Sequence, residues 1–117
     1  MMFLTFKKVL VSTILLTSFT YAQDLVWLKE ASKRMSWKDA NVYCTKQNGK
    51  LPSKKQFKEL WNKYNKSSEV PGFELSVSYW TSTEVKENKL AAFPFYFGDG
   101  KEDWYYKKDR YGVRCIK

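Results

Sequence analysis

Cys44 and Cys115 are the only cysteines in the 117-residue chain, and 71 positions separate them. A covalent link between them would enclose most of the chain, so their redox state governs what it can fold into. The N-terminus bears on that state. Lys7 and Lys8 precede an apolar run over 9–19, followed by Thr20-Tyr21-Ala22 and then Gln23-Asp24. A charged start, a largely apolar stretch of eleven residues and a small residue at a cleavage point read as a secretory signal peptide over 1–22. The run falls short of the roughly 20 residues a spanning helix needs, so no membrane span is expected after cleavage. A membrane anchor is the weaker reading, and no cysteine stands at the cleavage point to carry a lipid. Residues 23–117 are then expected to form one exported domain, in the periplasm, on the cell surface or outside the cell. An oxidising compartment and an even cysteine count favour one Cys44–Cys115 disulfide. Two free thiols or a redox pair are the alternatives, and the Cys-x-x-Cys spacing of a redox pair is absent.

Composition narrows the chemistry. The chain has no histidine, which removes Ser-His-Asp and Cys-His catalysis and every histidine-ligated metal site. Two cysteines cannot build a four-cysteine zinc site or an iron–sulfur cluster. No metal, cofactor or catalytic residue is assigned, and the chain is not expected to be an enzyme. Removing 1–22 leaves 19 Lys and Arg against 12 acids, a net charge of +7. A domain of this size buries only about 60–65% of its unfolded surface, so a cross-link would help it.

Local patterns outline the elements. The stretch 25–29 reads as a first strand by its β-favouring content. Ser36-Trp37-Lys38-Asp39 starts a helix with a near-match to the capping box, and Trp37, Ala40 and Cys44 keep helical spacing up to Gly49. Ser53-Lys54-Lys55-Gln56 is a full capping box behind Pro52. Phe57, Leu60, Trp61 and Tyr64 follow it on one helical face. Tyr79-Trp80-Thr81-Ser82-Thr83 reads as a strand, 85–88 as a loop and 91–97 as a second strand. In that second strand Phe93, Phe95 and Phe97 share a face, and Pro94 marks an edge or a bulge. Gly98-Asp99-Gly100 is a hairpin turn; 104–107 returns, and 111–116 is a final strand. The layout is α+β, two helices packed on a twisted antiparallel sheet.

Four segments carry a resemblance. Met35-Ser36-Trp37, Ala40 and Tyr43-Cys44 come first, then Gly49-Lys50-Leu51-Pro52-Ser53 with Leu60. Tyr79-Trp80-Thr81-Ser82-Thr83 and Val113-Arg114-Cys115-Ile116 complete the order. Together, over about 25–117, they resemble the Lcl C-terminal domain family of bacterial secreted domains. The resemblance implies a C-type-lectin-like fold with Cys44 in the first helix bonded to Cys115 in the last strand. The family's best-known member is a surface adhesin that binds sulfated polysaccharides, so the resemblance implies a binding role. The motifs themselves read as structural, a helix start and a strand whose Trp80 plugs the core. Two departures stand out. Gly49-Lys50 leads directly into Leu51-Pro52, without the Asp-Trp-Arg that often precedes it in the family. The Glu-Pro-Asn, Gln-Pro-Asp and Trp-Asn-Asp triplets of calcium-dependent sugar-binding lectins are also absent. Calcium-dependent monosaccharide binding is therefore disfavoured, and the acids Asp99, Glu102 and Asp103 read as turn solvation.

Two surfaces are candidates for binding. The stretch 46–66 holds seven Lys and one acid, Glu59. Helical projection gathers Lys54, Lys55, Lys58 and Lys66 away from the apolar stripe, a face suited to polyanions. The second is Trp104-Tyr105-Tyr106-Lys107-Lys108 with Arg110. Alternation there is expected to bury Trp104 and Tyr106 and to expose Tyr105 and Lys107, so that Tyr105, Lys107, Lys108 and Arg110 are available to a ligand. The expected function is non-catalytic recognition of an acidic glycan, another envelope polymer or a surface protein. The alternative is a structural or assembly part of a cell-envelope appendage. Export argues against nucleic acid as a physiological partner.

Overall fold

A computed structural model describes residues 25–67 and 69–117. The expected signal peptide, 1–22, lies outside the described residues. The elements run α1 (Trp37–Lys46), α2 (Lys54–Lys63), β1 (Ser78–Val85), β2 (Asn88–Tyr96) and β3 (Tyr105–Tyr106). The three strands form one antiparallel sheet in the order β1-β2-β3. The α+β layout, with two helices on an antiparallel sheet, is the one the sequence predicts.

Both helices start where the caps require. Ser36 Oγ accepts from the Asp39 N–H at 3.2 Å. At α2 the box is complete: Gln56 N–H donates to Ser53 Oγ at 3.1 Å, and Ser53 N–H donates to Gln56 Oε1 at 2.8 Å. The first helix ends differently from expectation. Asn48, with φ 60°, takes the left-handed position, while Gly49 N–H reaches back to Cys44 O at 2.9 Å. Gly49 serves a close approach instead, because a Cβ there would lie 2.5 Å from Ile116 O.

The sheet separates two cores. Alternation along β1 sends Tyr79 to one face and Trp80 to the other. Trp80 joins Ala40, Cys44, Leu51, Ala92, Val113 and Cys115 on the α1 side. Tyr79 joins Phe57, Val70, Val77, Phe95 and Phe97 on the α2 side. Phe57 stacks on Phe95 at 5.7 Å and meets Phe97 edge-on at 5.8 Å. Trp80 is fully buried, and its indole N–H donates to Met35 O at 2.8 Å.

The chain's two outer strands are less regular than their composition predicts. Instead of one continuous ladder, 111–116 makes separate bridges: Tyr111 with Met35, Gly112 with Tyr79, and Ile116 with both Trp27 and Lys50. Its neighbours change every few residues, so no pairing runs long enough to make a strand. The first stretch, 25–29, is likewise held by single bonds, such as Leu28 N–H to Cys115 O at 2.9 Å. Pro94 lies in the middle strand of the sheet, opposite Trp80. It is tolerated because β3 covers only Ala91 and Ala92, and because register shifts between Trp80 and Glu84 on the other side. The expected loop over 85–88 tightens to a turn of Lys86 and Glu87, with Val85 facing Asn88.

Cys44 and Cys115 form the disulfide, with Cα atoms 5.5 Å apart, and tie α1 to the C-terminal segment. Closing a 71-residue separation is worth about 4 kcal/mol in the chain-entropy model. Cys44→Ala/Cys115→Ala is expected to lose about that much in urea unfolding, with little change in far-UV circular dichroism below the midpoint.

Tyr79 predicts an alkaline limit. Its hydroxyl donates to Glu30 Oε1 at 2.7 Å and accepts from the Glu74 N–H at 2.8 Å. Burial pushes it well above the ordinary phenol range, and the bond to Glu30 pushes the same way. A raised folded-state value means the stabilisation is complete below the unfolded phenol value of about 10 and is lost progressively as pH rises above it towards the folded-state value. Melting temperature should fall above about pH 10. Tyr79→Phe should flatten that alkaline fall while lowering stability at neutral pH.

Candidate functional site

The lysines expected on one helical face divide into three groups. Lys54 Nζ sits 4.1 Å from the Phe93 ring centroid and Lys58 Nζ 5.7 Å from that of Trp61, so both flank the aromatic side of α2. Lys55 is exposed on the outer face. Lys66 has left the helix. It follows Asn65, both with left-handed φ (57° and 58°), and its N–H closes the helix end on Trp61 O at 2.9 Å. The helical projection ran past the true end because nothing in the composition of 61–66 forbids another turn.

One of these lysines meets a partner the helical projection overlooked. Lys50 and Lys55 both line a cleft of about 490 Å³ between the helices, shared with Asn41, Leu51, Ser53, Gln56, Glu59 and Ser82. Lys50 is positioned by two backbone bonds to Ile116, at 2.9 and 2.8 Å. The first turn of α2 carries no acid to oppose its positive end. Lys50 escaped the sequence reading because it lies off the helix; its signal was the basic run around Gly49-Lys50-Leu51.

The C-terminal candidate surface also departs from expectation. Trp104, Tyr105 and Tyr106 are all exposed, at 45%, 44% and 46%, where alternation predicted burial of the first and third. β3 is a two-residue edge strand, so its side chains pack on one another instead of under a neighbouring element. Trp104 meets Tyr106 edge-on at 5.5 Å, and Tyr105 leans on Tyr111 at 5.4 Å. Lys107, expected to be free, is engaged within the fold. Its Nζ lies 2.6 Å from Glu84 Oε1, donates to Lys89 O at 2.7 Å and sits 4.3 Å from the Trp37 ring. Lys108 and Arg110 are exposed. Over 84–110 six bases balance six acids, so this surface is aromatic and neutral while the excess positive charge lies elsewhere.

Asp99 Oδ1 accepts from the Lys101 N–H at 2.9 Å, as a turn-forming acid does. Among the described residues no group of three or more Cys, Asp or Glu side chains is gathered closely enough to hold a metal ion.

The Lcl C-terminal domain matches residues 20–117. The chain belongs to this family. Among solved structures, the Lcl domain is similar to TC14, a C-type lectin from the tunicate Polyandrocarpa misakiensis, with a TM-score of 0.57 and 16% identity. The likeness covers 80% of this chain and 98% of the lectin, and at that identity it shows a shared fold. No curated protein sequence matches the chain. The C-type-lectin-like fold that the motifs implied is thus the fold this Lcl domain adopts.

The two basic residues of the hairpin should behave differently. Lys107→Ala removes an ion pair, a carbonyl contact and a cation–ring contact, and should destabilise the domain by about 1 kcal/mol. Lys108→Ala should change stability by less than about 0.5 kcal/mol. Paired thermal melts check both.

Proposed function

We propose that this Lcl domain is an exported, non-catalytic binding module whose ligand is an acidic polymer of the cell envelope or cell surface. The observation that carries the reading is the placing of Lys50 and Lys55 on one cleft beside the first turn of α2, which holds no acid, so that the two lysines outweigh Glu59, the cleft's one carboxylate. Cations there attract sulfate or carboxylate groups, and the amides and hydroxyls of Asn41, Ser53, Gln56 and Ser82 suit the hydroxyls of a sugar chain. Lys54 and Lys58 extend the positive charge along α2, and Lys66 lies past its end. The disulfide suits an oxidising compartment outside the cytoplasm, and no described helix is long and apolar enough to cross a membrane.

A second reading rests on the neutral, aromatic C-terminal surface. Trp104, Tyr105 and Tyr106, with Lys108 and Arg110 beside them, form a contact for a protein partner, as in an assembled envelope appendage. Aromatic residues with arginine are favoured anchors in such contacts. The two readings differ in salt dependence. Polyanion binding weakens steeply as ions screen it, whereas an aromatic interface does not.

Elution of residues 23–117 from immobilised heparin, compared with a sulfonated exchanger over a salt gradient, tests the first reading. Later elution from heparin is expected, and Lys50→Ala/Lys55→Ala should abolish the difference. Equal elution of the unaltered protein from both columns would reduce the effect to net charge and reject a shaped polyanion site.

A further inference from the structure

Arg114 is the single charged residue buried among the described residues, at 8% exposure. Two loops hold it in place. Its Nε donates to Leu28 O at 2.7 Å, Nη1 donates to Gly72 O, and the guanidinium stacks 4.4 Å from the Phe73 ring centroid. Among the described residues no carboxylate lies within ion-pair distance of it, and Nη2 has no hydrogen-bond partner. Glu30 acts on it at longer range, but that carboxylate is bonded to Tyr79 Oη.

Arg114 also lines a groove of about 600 Å³ between the N-terminal stretch, α2 and the 70–73 loop. Its lining is mixed: Trp27, Leu60, Tyr64 and Phe73 supply the apolar and aromatic part, and Gln56, Glu59, Lys63 and Arg114 the polar part. Glu59 and Lys63, both exposed and both lining the groove, cancel in charge, so Arg114 supplies its net charge. Two carbonyls, the Phe73 ring and Glu30 at longer range meet part of the cost of desolvating this cation, and an anion delivered to its free, accessible edge would recover more of it.

We propose that this groove binds a carboxylate carrying an apolar body, its charge on Arg114 Nη2 and its apolar part against Trp27, Leu60 and Tyr64. With Nε and Nη1 already committed, the anion meets one edge of the guanidinium, so the apolar walls decide selectivity. A free small acid and the C-terminal residue of a peptide share this chemistry. The site is separate from the Lys50–Lys55 cleft and does not depend on it.

The test is an NMR titration of the disulfide-bonded protein, following the Trp27 indole N–H and the Arg114 Nε–H. N-acetylphenylalanine should shift both signals saturably and bind at least tenfold more tightly than its amide. A tetrapeptide ending in phenylalanine then separates the two sources: tighter binding than the acetylated amino acid assigns the site to peptide termini, and weaker binding to free small acids. Arg114→Gln would also release both loops, so the decisive variant is Tyr64→Ala, at the partly exposed C-cap of α2. It should weaken binding several-fold with an unchanged melting temperature, and Lys50→Ala/Lys55→Ala should leave binding as it is. Equal binding of the amide, equal or tighter binding of glucuronate, no saturable shift, or full affinity in Tyr64→Ala would each overturn the proposal.

Discussion

The C-terminal segment 111–116 is the constraint on which the rest of the domain depends. Its backbone bonds in turn to Met35, to Ser78 and Trp80 of β1, to Ala31 and Leu28, and to Lys50. The N-terminal stretch, the start of the first helix, β1 and the segment after α1 therefore all close on this one stretch. These contacts are long-range, and a chain whose ordering waits on them is expected to fold slowly for its size. The disulfide from Cys115 to α1 fixes this segment against the first helix. Gly49 lets the backbone after α1 approach Ile116 closely enough for Lys50 to pair with it. The cleft holding Lys50 and Lys55 is a by-product of that approach.

Local signals carried most of the fold. The capping box at Ser53 located α2, the stripe through Phe57 located its buried face, and alternation placed Tyr79 and Trp80 on opposite sides. Sequence failed where regular structure is short. A two-residue β3 has no neighbour to bury Trp104 and Tyr106, and alternation alone does not reveal whether a covering element exists. The final segment was legible as apolar and extended, yet its changing partners are a tertiary fact with no local signature. Lys107 shows the same limit. Its acid, its carbonyl and its aromatic ring come from β1, β2 and α1, each distant in sequence.

Charge is distributed unevenly over the domain, and the fold explains why this matters. The positive excess lies around the helices, while the β-hairpins are neutral and rich in exposed aromatic rings. Polyanion attraction and aromatic contact thus belong to different surfaces, and one molecule has room for both. The buried Arg114 belongs to neither. It sits under the aromatic core of the α2 side, where the cost of desolvation is met by two carbonyls and a ring in place of an acid.

The pairing of Val26 with Lys117 has a mechanical consequence. Val26 and Lys117 exchange backbone bonds, and the disulfide joins residue 44 to residue 115. Tension applied between Val26 and Lys117 travels through 26–44, the sulfur bridge and 115–117. At about 3.5 Å per extended residue, only that short path can lengthen. The enclosed part of the chain, with α2, the sheet, Lys50 and Lys55, lies outside the covalent line of force. A domain built this way can yield at its ends under load while its central scaffold remains covalently shielded from the pull.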